Sequence, residues 1–65
     1  MLVSNLAKIA KEKKMTARAI IAATGLSPTT LTKARKDAGI AECRLSTLKR
    51  IAEALGVSTK DLYDE

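Results

Sequence analysis

The chain has 65 residues, 46% of them apolar, and a net charge of +5 from twelve Lys and Arg against seven Asp and Glu. At this length residues 1–65 are expected to form one domain. Such a domain buries only about 60% of the surface its unfolded chain exposes, which leaves no room for an enzyme cleft beside a core. With no His and one Cys, there is no metal-ligand cluster, no nucleophile–base pair and no internal disulfide, so no catalysis and no cofactor are expected.

No apolar run approaches the roughly 20 residues of a membrane span. The opening residues, Met1 to Asn5, lack the basic and apolar regions of a signal peptide. Cys43 reads as a small, half-buried apolar residue, and a lone reduced cysteine fits a cytoplasmic protein. Charge is unevenly placed. Residues 1–36 hold eight cations against Glu12 alone, a net of +7, while residues 37–65 hold four cations against six acids, a net of −2. A basic N-terminal half suits a polyanionic partner.

Apolar residues recur at three and four, not at two, so strand signals are weak and the spacing predicts five short helices. The first covers about 2–13, with Leu2, Leu6 and Ile9 as its stripe and Lys8, Lys11, Lys13 and Lys14 as solvent charges. The second covers about 17–24. Thr16 is its N-cap, Met15 and Ile20 form a staple across the start, and Gly25 ends it. The third begins at Ser27-Pro28, a cap followed by proline at the first helical position, and is expected to reach about residue 36, with Leu31 and Ala34 inward. Gly39 is expected to mark a loop that continues through residues 40–43. The fourth covers about 47–55 with Ser46 as cap and Leu48, Ile51, Ala52 and Leu55 as stripe, closed by Gly56. The fifth starts at the capping box of Ser58 and Asp61, with Leu62 as anchor.

Two short helices joined by Thr24-Gly25-Leu26 have helix-turn-helix spacing. From Met15 to Ala34 the chain resembles the helix-turn-helix of the Cro/cI-type (xenobiotic-response-element) transcriptional regulators. The run LSTLKRIAEALGVS at 45–58, followed by Asp61-Leu62, is similar to that family's fourth helix and its exit. The resemblance covers nearly the whole chain. It implies an all-α, five-helix, lambda-repressor-like DNA-binding domain with the motif at about 17–36. It also implies a sequence-specific regulator of double-stranded DNA, of repressor type and of prokaryotic or phage kind.

In that family's docking geometry the third helix enters the major groove. Pro28, Thr29, Thr32 and Lys33 would then face base edges. Lys33 can donate to guanine O6 and N7, and the threonines can hydrogen-bond bases or touch a thymine methyl. Ser27 and Thr30 are better placed for phosphate, as are Thr16, Ala17 and Arg18 at the start of the second helix. Arg35, Lys36 and Arg44 would add backbone contacts. Ala17 stands where relatives usually carry a phosphate-clamping Gln, so Arg18 is the candidate replacement. Pro28 stands where many relatives use a polar base reader and can contribute only shape and a methylene contact. Ile21 replaces a small Ala, which predicts a wider helix crossing or a register shifted by one residue. The outer residues of the third helix also fit a merely solvated face, and Arg35 and Lys36 also fit the negative end of a helix dipole.

The rival reading is an antitoxin or accessory regulator on the same fold, whose main partner is a protein. The small, polar, basic outer face of the third helix argues against it, because protein-docking helices more often expose Leu, Met or aromatics. Single-strand and RNA binding call for aromatic stacking platforms, and Tyr63 is the only aromatic. Repressors of this type commonly act as dimers on two half-sites. A homodimer here would use residues 57–63 or form only on DNA, and no small-molecule ligand is expected.

Overall fold

The computed structural model describes residues 2–65. Five α-helices follow one another: α1 (Leu6–Glu12), α2 (Ala17–Thr24), α3 (Pro28–Ala34), α4 (Asp37–Glu42) and α5 (Leu45–Leu55). A 3₁₀ turn, Thr59–Leu62, leads into a two-residue strand. That strand, β2 (Tyr63–Asp64), pairs antiparallel with β1 (Val3–Ser4), placing Val3 opposite Asp64 and Ser4 opposite Tyr63.

One core joins these elements. Leu6 comes from α1, Ile20 from α2, Leu31 and Ala34 from α3, Ile40 from α4, Leu48, Ile51, Ala52 and Leu55 from α5, and Leu62 from the 3₁₀ turn. On α5 the buried positions fall at i, i+3, i+4 and i+7, the spacing of one helix face. The anticipated stripes of α3 and α5 are therefore buried as expected, whereas Leu2 and Ile9 are only half-buried at the margin.

Several local expectations need correction. The first helix starts at Leu6, not Leu2, because residues 3 and 4 are held in a strand by long-range bonds. Asn5 N–H donates to the Leu62 carbonyl at 2.8 Å, and the Asn5 side-chain amide donates to Asp64 at 3.1 Å. A two-residue strand has no alternation for a pattern to reveal. The third helix stops at Ala34, because Lys36 is extended (φ −99°, ψ 145°) and starts a new helix. Residues 37–42 are that helix, not a loop, and Gly39 lies inside it. Arg44, not Ser46, is the residue before α5, and Ser46 lies in its first turn. The fifth segment is 3₁₀ rather than α. Its capping box is present, with Asp61 accepting from the Ser58 N–H at 3.0 Å.

The glycine at 39 has a packing reason. A Cβ there would sit 1.9 Å from the Lys33 carbonyl oxygen and 2.8 Å from its carbon, so α4 lies against the backbone at the end of α3. Ser4 fastens the same junction from the other side. Its hydroxyl donates to the Ala34 carbonyl at 2.7 Å, and its N–H donates to the Asp37 carboxylate at 2.8 Å. An otherwise orphaned carbonyl at the end of α3 is thereby satisfied.

Candidate nucleic-acid interface

The tight turn between α2 and α3 is built by short-range bonds. Gly25 has φ 74°, a left-handed conformation costly for residues with a Cβ, and its N–H donates to the Ile21 carbonyl at 2.8 Å. The Thr24 hydroxyl donates to the Ile20 carbonyl at 2.7 Å and accepts from the Leu26 N–H at 3.3 Å. The chain leaves α2 and enters α3 within three residues. Ile21 and Leu26 are half-buried against the core at this turn.

Both helices begin with a hydroxyl cap. The Thr16 hydroxyl accepts from the Ala19 N–H at 3.1 Å, and the Ser27 hydroxyl accepts from the Thr30 N–H at 3.2 Å. Because Thr16 uses an oxygen lone pair for its cap, its hydroxyl proton is available to an outside acceptor. Ser27 and Thr30 also bond to each other, at 2.9 Å.

The face of α3 is divided by helix periodicity. Leu31 and Ala34 point into the core, while Pro28, Thr29, Thr32 and Lys33 are exposed. Spacings of 28 to 32 and 29 to 33 put these four side chains on one face. Thr30 is half-buried. Thr16, Ala17, Arg18, Ser27, Arg35, Lys36 and Arg44 are all exposed. Thr16, Ala17 and Arg35 line a common cleft of about 210 Å³ between α1, α2 and α3. Ala17 contributes only a methyl group to that cleft, and Arg35 is exposed.

One ion pair is present among the described residues. The Lys33 ammonium lies 3.0 Å from the Glu42 carboxylate. The sequence pattern missed Glu42 because the six-residue α4 is shorter than the window in which a helical period can be recognised. Asp37 in its first turn is the one capping-type signal that could have revealed the helix. Cys43, on the same face as Gly39, donates its thiol to the Gly39 carbonyl at 3.4 Å. Burial pushes the Cys43 pKa up; nearby Lys33 opposes that shift and Glu42 adds to it. Among the described residues, no group of three or more His, Cys, Asp and Glu side chains is placed to hold a metal ion. No helix is long and apolar enough to cross a membrane.

Two capped helices, a glycine-pivoted turn and a polar outer face on the second helix define a helix-turn-helix. Residues 5–64 match the family described as the Cro/C1-type HTH DNA-binding domain, and the chain belongs to that family. Neither the curated proteins nor the solved structures offer a match.

Proposed function

We propose that this chain is a sequence-specific regulator of transcription, of repressor type, that reads double-stranded DNA in the major groove with α3. The observation that carries the reading is the outer face of α3. Thr29, Thr32 and Lys33 stand exposed and polar on a helix whose other face is locked into the core. Pro28 adds shape at its N-terminus. Around it, Thr16, Ala17, Arg18, Ser27, Thr30, Arg35, Lys36 and Arg44 are the candidate phosphate contacts. None of the four flanking Arg and Lys residues among them is held in an ion pair among the described residues. Phosphate contacts would fix register, and the α3 side chains would supply the sequence preference.

The longest dimension of the chain is 29 Å, shorter than the roughly 34 Å between half-sites one helical turn apart. Two copies are therefore needed to occupy a two-fold operator, paired in advance or on the DNA. Leu45 is 70% exposed and could serve a protein partner instead. A single exposed leucine is common on soluble proteins, so the DNA reading is preferred.

The test is a titration against promoter DNA from beside the coding sequence and against a scrambled duplex, at two salt concentrations. The double variant Thr29→Ala/Lys33→Ala is run in parallel. A preference on the order of 10³ for the promoter, lost in the double variant, is expected. Weak, sequence-blind binding that only fades with salt and ignores the double substitution would overturn the base-reading role.

A further inference from the structure

The helix that follows α3 places an acid beside a base-facing lysine. Gly39 seats α4 against the Lys33 backbone, with its missing Cβ leaving room that a 1.9 Å approach would otherwise forbid. Three residues further along α4, the Glu42 carboxylate meets the Lys33 ammonium at 3.0 Å. An ammonium has three donors, so one is engaged by Glu42 and two remain. Without a tether, a lysine on its flexible four-carbon stem can reach either a base edge or a phosphate, and a phosphate contact carries no sequence information.

Glu42 alters that balance in two ways. Its charge is repelled by the sugar-phosphate backbone, and it holds the ammonium on the α3–α4 side. Of the four bases, guanine alone presents two adjacent acceptors, N7 and O6, in the major groove. Adenine pairs one acceptor with a donor, thymine offers one acceptor beside a methyl, and cytosine offers a donor.

We infer that Glu42 is a specificity-determining residue: by holding Lys33 it confines the ammonium to a guanine edge and disfavours docking on DNA that lacks guanine at that position. The inference rests on the reading of α3 as the major-groove helix. Both partners are well exposed, with side-chain exposures of 48% and 67%, so the pair contributes little to folding and its loss leaves the domain folded.

The experiment selects duplexes from a randomised pool with the unaltered protein. Binding to the consensus, to its single-base-pair variants and to random duplex is then measured over a salt series. The proteins compared are the parent, Lys33→Gln, Glu42→Gln and Glu53→Gln. Glu53 is the charge control, because it lies on α5, a helix that supplies none of the candidate contacts. The parent is expected to prefer G·C at one position by about tenfold or more, and Lys33→Gln flattens that position alone. Glu42→Gln still binds the consensus but takes random duplex several-fold more tightly. Its salt slope on random duplex steepens by about 0.9, as for one added phosphate contact, and its guanine preference shrinks to about threefold. Glu53→Gln keeps the parental preference.

A parental preference and slope in Glu42→Gln would reduce Glu42 to a solvated charge and leave the α3 reading standing. Equal losses in Glu42→Gln and Glu53→Gln would assign the effect to net charge and also overturn the inference. If Lys33→Gln flattens no position, Lys33 reads no base and the inference falls while Thr29 and Thr32 can still carry the α3 reading; if the parent selects no consensus, the α3 reading itself fails and the inference falls with it.

Discussion

Gly39→Ala puts helix propensity and packing in direct opposition. Within a helix, alanine is favoured over glycine by about 1 kcal/mol, so propensity alone predicts a more stable protein. The structure predicts the reverse. The new Cβ would lie 1.9 Å from the Lys33 carbonyl oxygen, and separations under 3.0 Å are essentially never tolerated. The two nearest obstructing atoms are backbone, with the Lys33 Cγ third at 2.9 Å, so no rotamer change relieves the clash and α4 must withdraw from α3. Overpacking of this kind costs about 1–3 kcal/mol, and a rigid backbone partner places it at about 3 kcal/mol. After the gain in propensity, a net loss of about 2 kcal/mol remains. That is a large share of the roughly 3–10 kcal/mol that holds a domain of this size. Thermal melting followed by far-UV circular dichroism should show Tm falling by about 8–16 °C. An unchanged or raised Tm would falsify the close approach and, with it, the physical reason for the Lys33–Glu42 juxtaposition.

Other substitutions probe the remaining supports. Lys14 has φ 57°, with its N–H donating to Lys11 at 3.1 Å and the Met15 N–H donating to Ala10 at 2.9 Å. Lys14→Gly should relieve about 1 kcal/mol of left-handed strain and raise Tm by about 4–8 °C; a lower Tm would count against the assigned helix end. Ser4→Ala removes the donor to the Ala34 carbonyl and should cost about 1–2 kcal/mol in urea unfolding, so an unshifted midpoint refutes the fastening. Thr16→Ala should lose about 1 kcal/mol of cap stability and weaken binding to promoter and scrambled duplex alike, since phosphate contacts are blind to sequence; a selective loss on the promoter would reassign Thr16 to base reading. Cys43 ionises less readily folded than unfolded. Its contribution to stability is therefore complete below the ordinary thiol range and is lost as pH rises through the folded pKa. Alkylation at about pH 8 should be slower in the folded protein than in urea, and equal rates would contradict the shielding.

What the sequence discloses depends on whether the cause is local. The α2–turn–α3 unit is legible because Thr16, Gly25, Ser27 and Pro28 act within a few residues of themselves, and the observed bounds of α2 fall where those residues put them. The stripe of α5 is legible because eleven residues give periodicity time to show. The six residues of α4 are too few for that. A glycine in their midst suggests a loop until the facing backbone is seen. Ser4 is similarly opaque, since its partners lie 30 and 33 residues away. The candidate DNA-facing side chains of α3 were readable as residue types at helical spacing. Glu42 was hidden because the helix that carries it was hidden.

The seam between β1 and β2 has a mechanical consequence. Asn5 and Asp64 are joined across 59 positions of chain, and closing so long a loop is entropically costly compared with winding a helix. Tension applied across residues 3 and 64 loads these contacts directly. Ser4 belongs to this seam and also holds the end of α3. A pull across residues 3 and 64 therefore reaches the end of α3 through Ser4 without passing through the core.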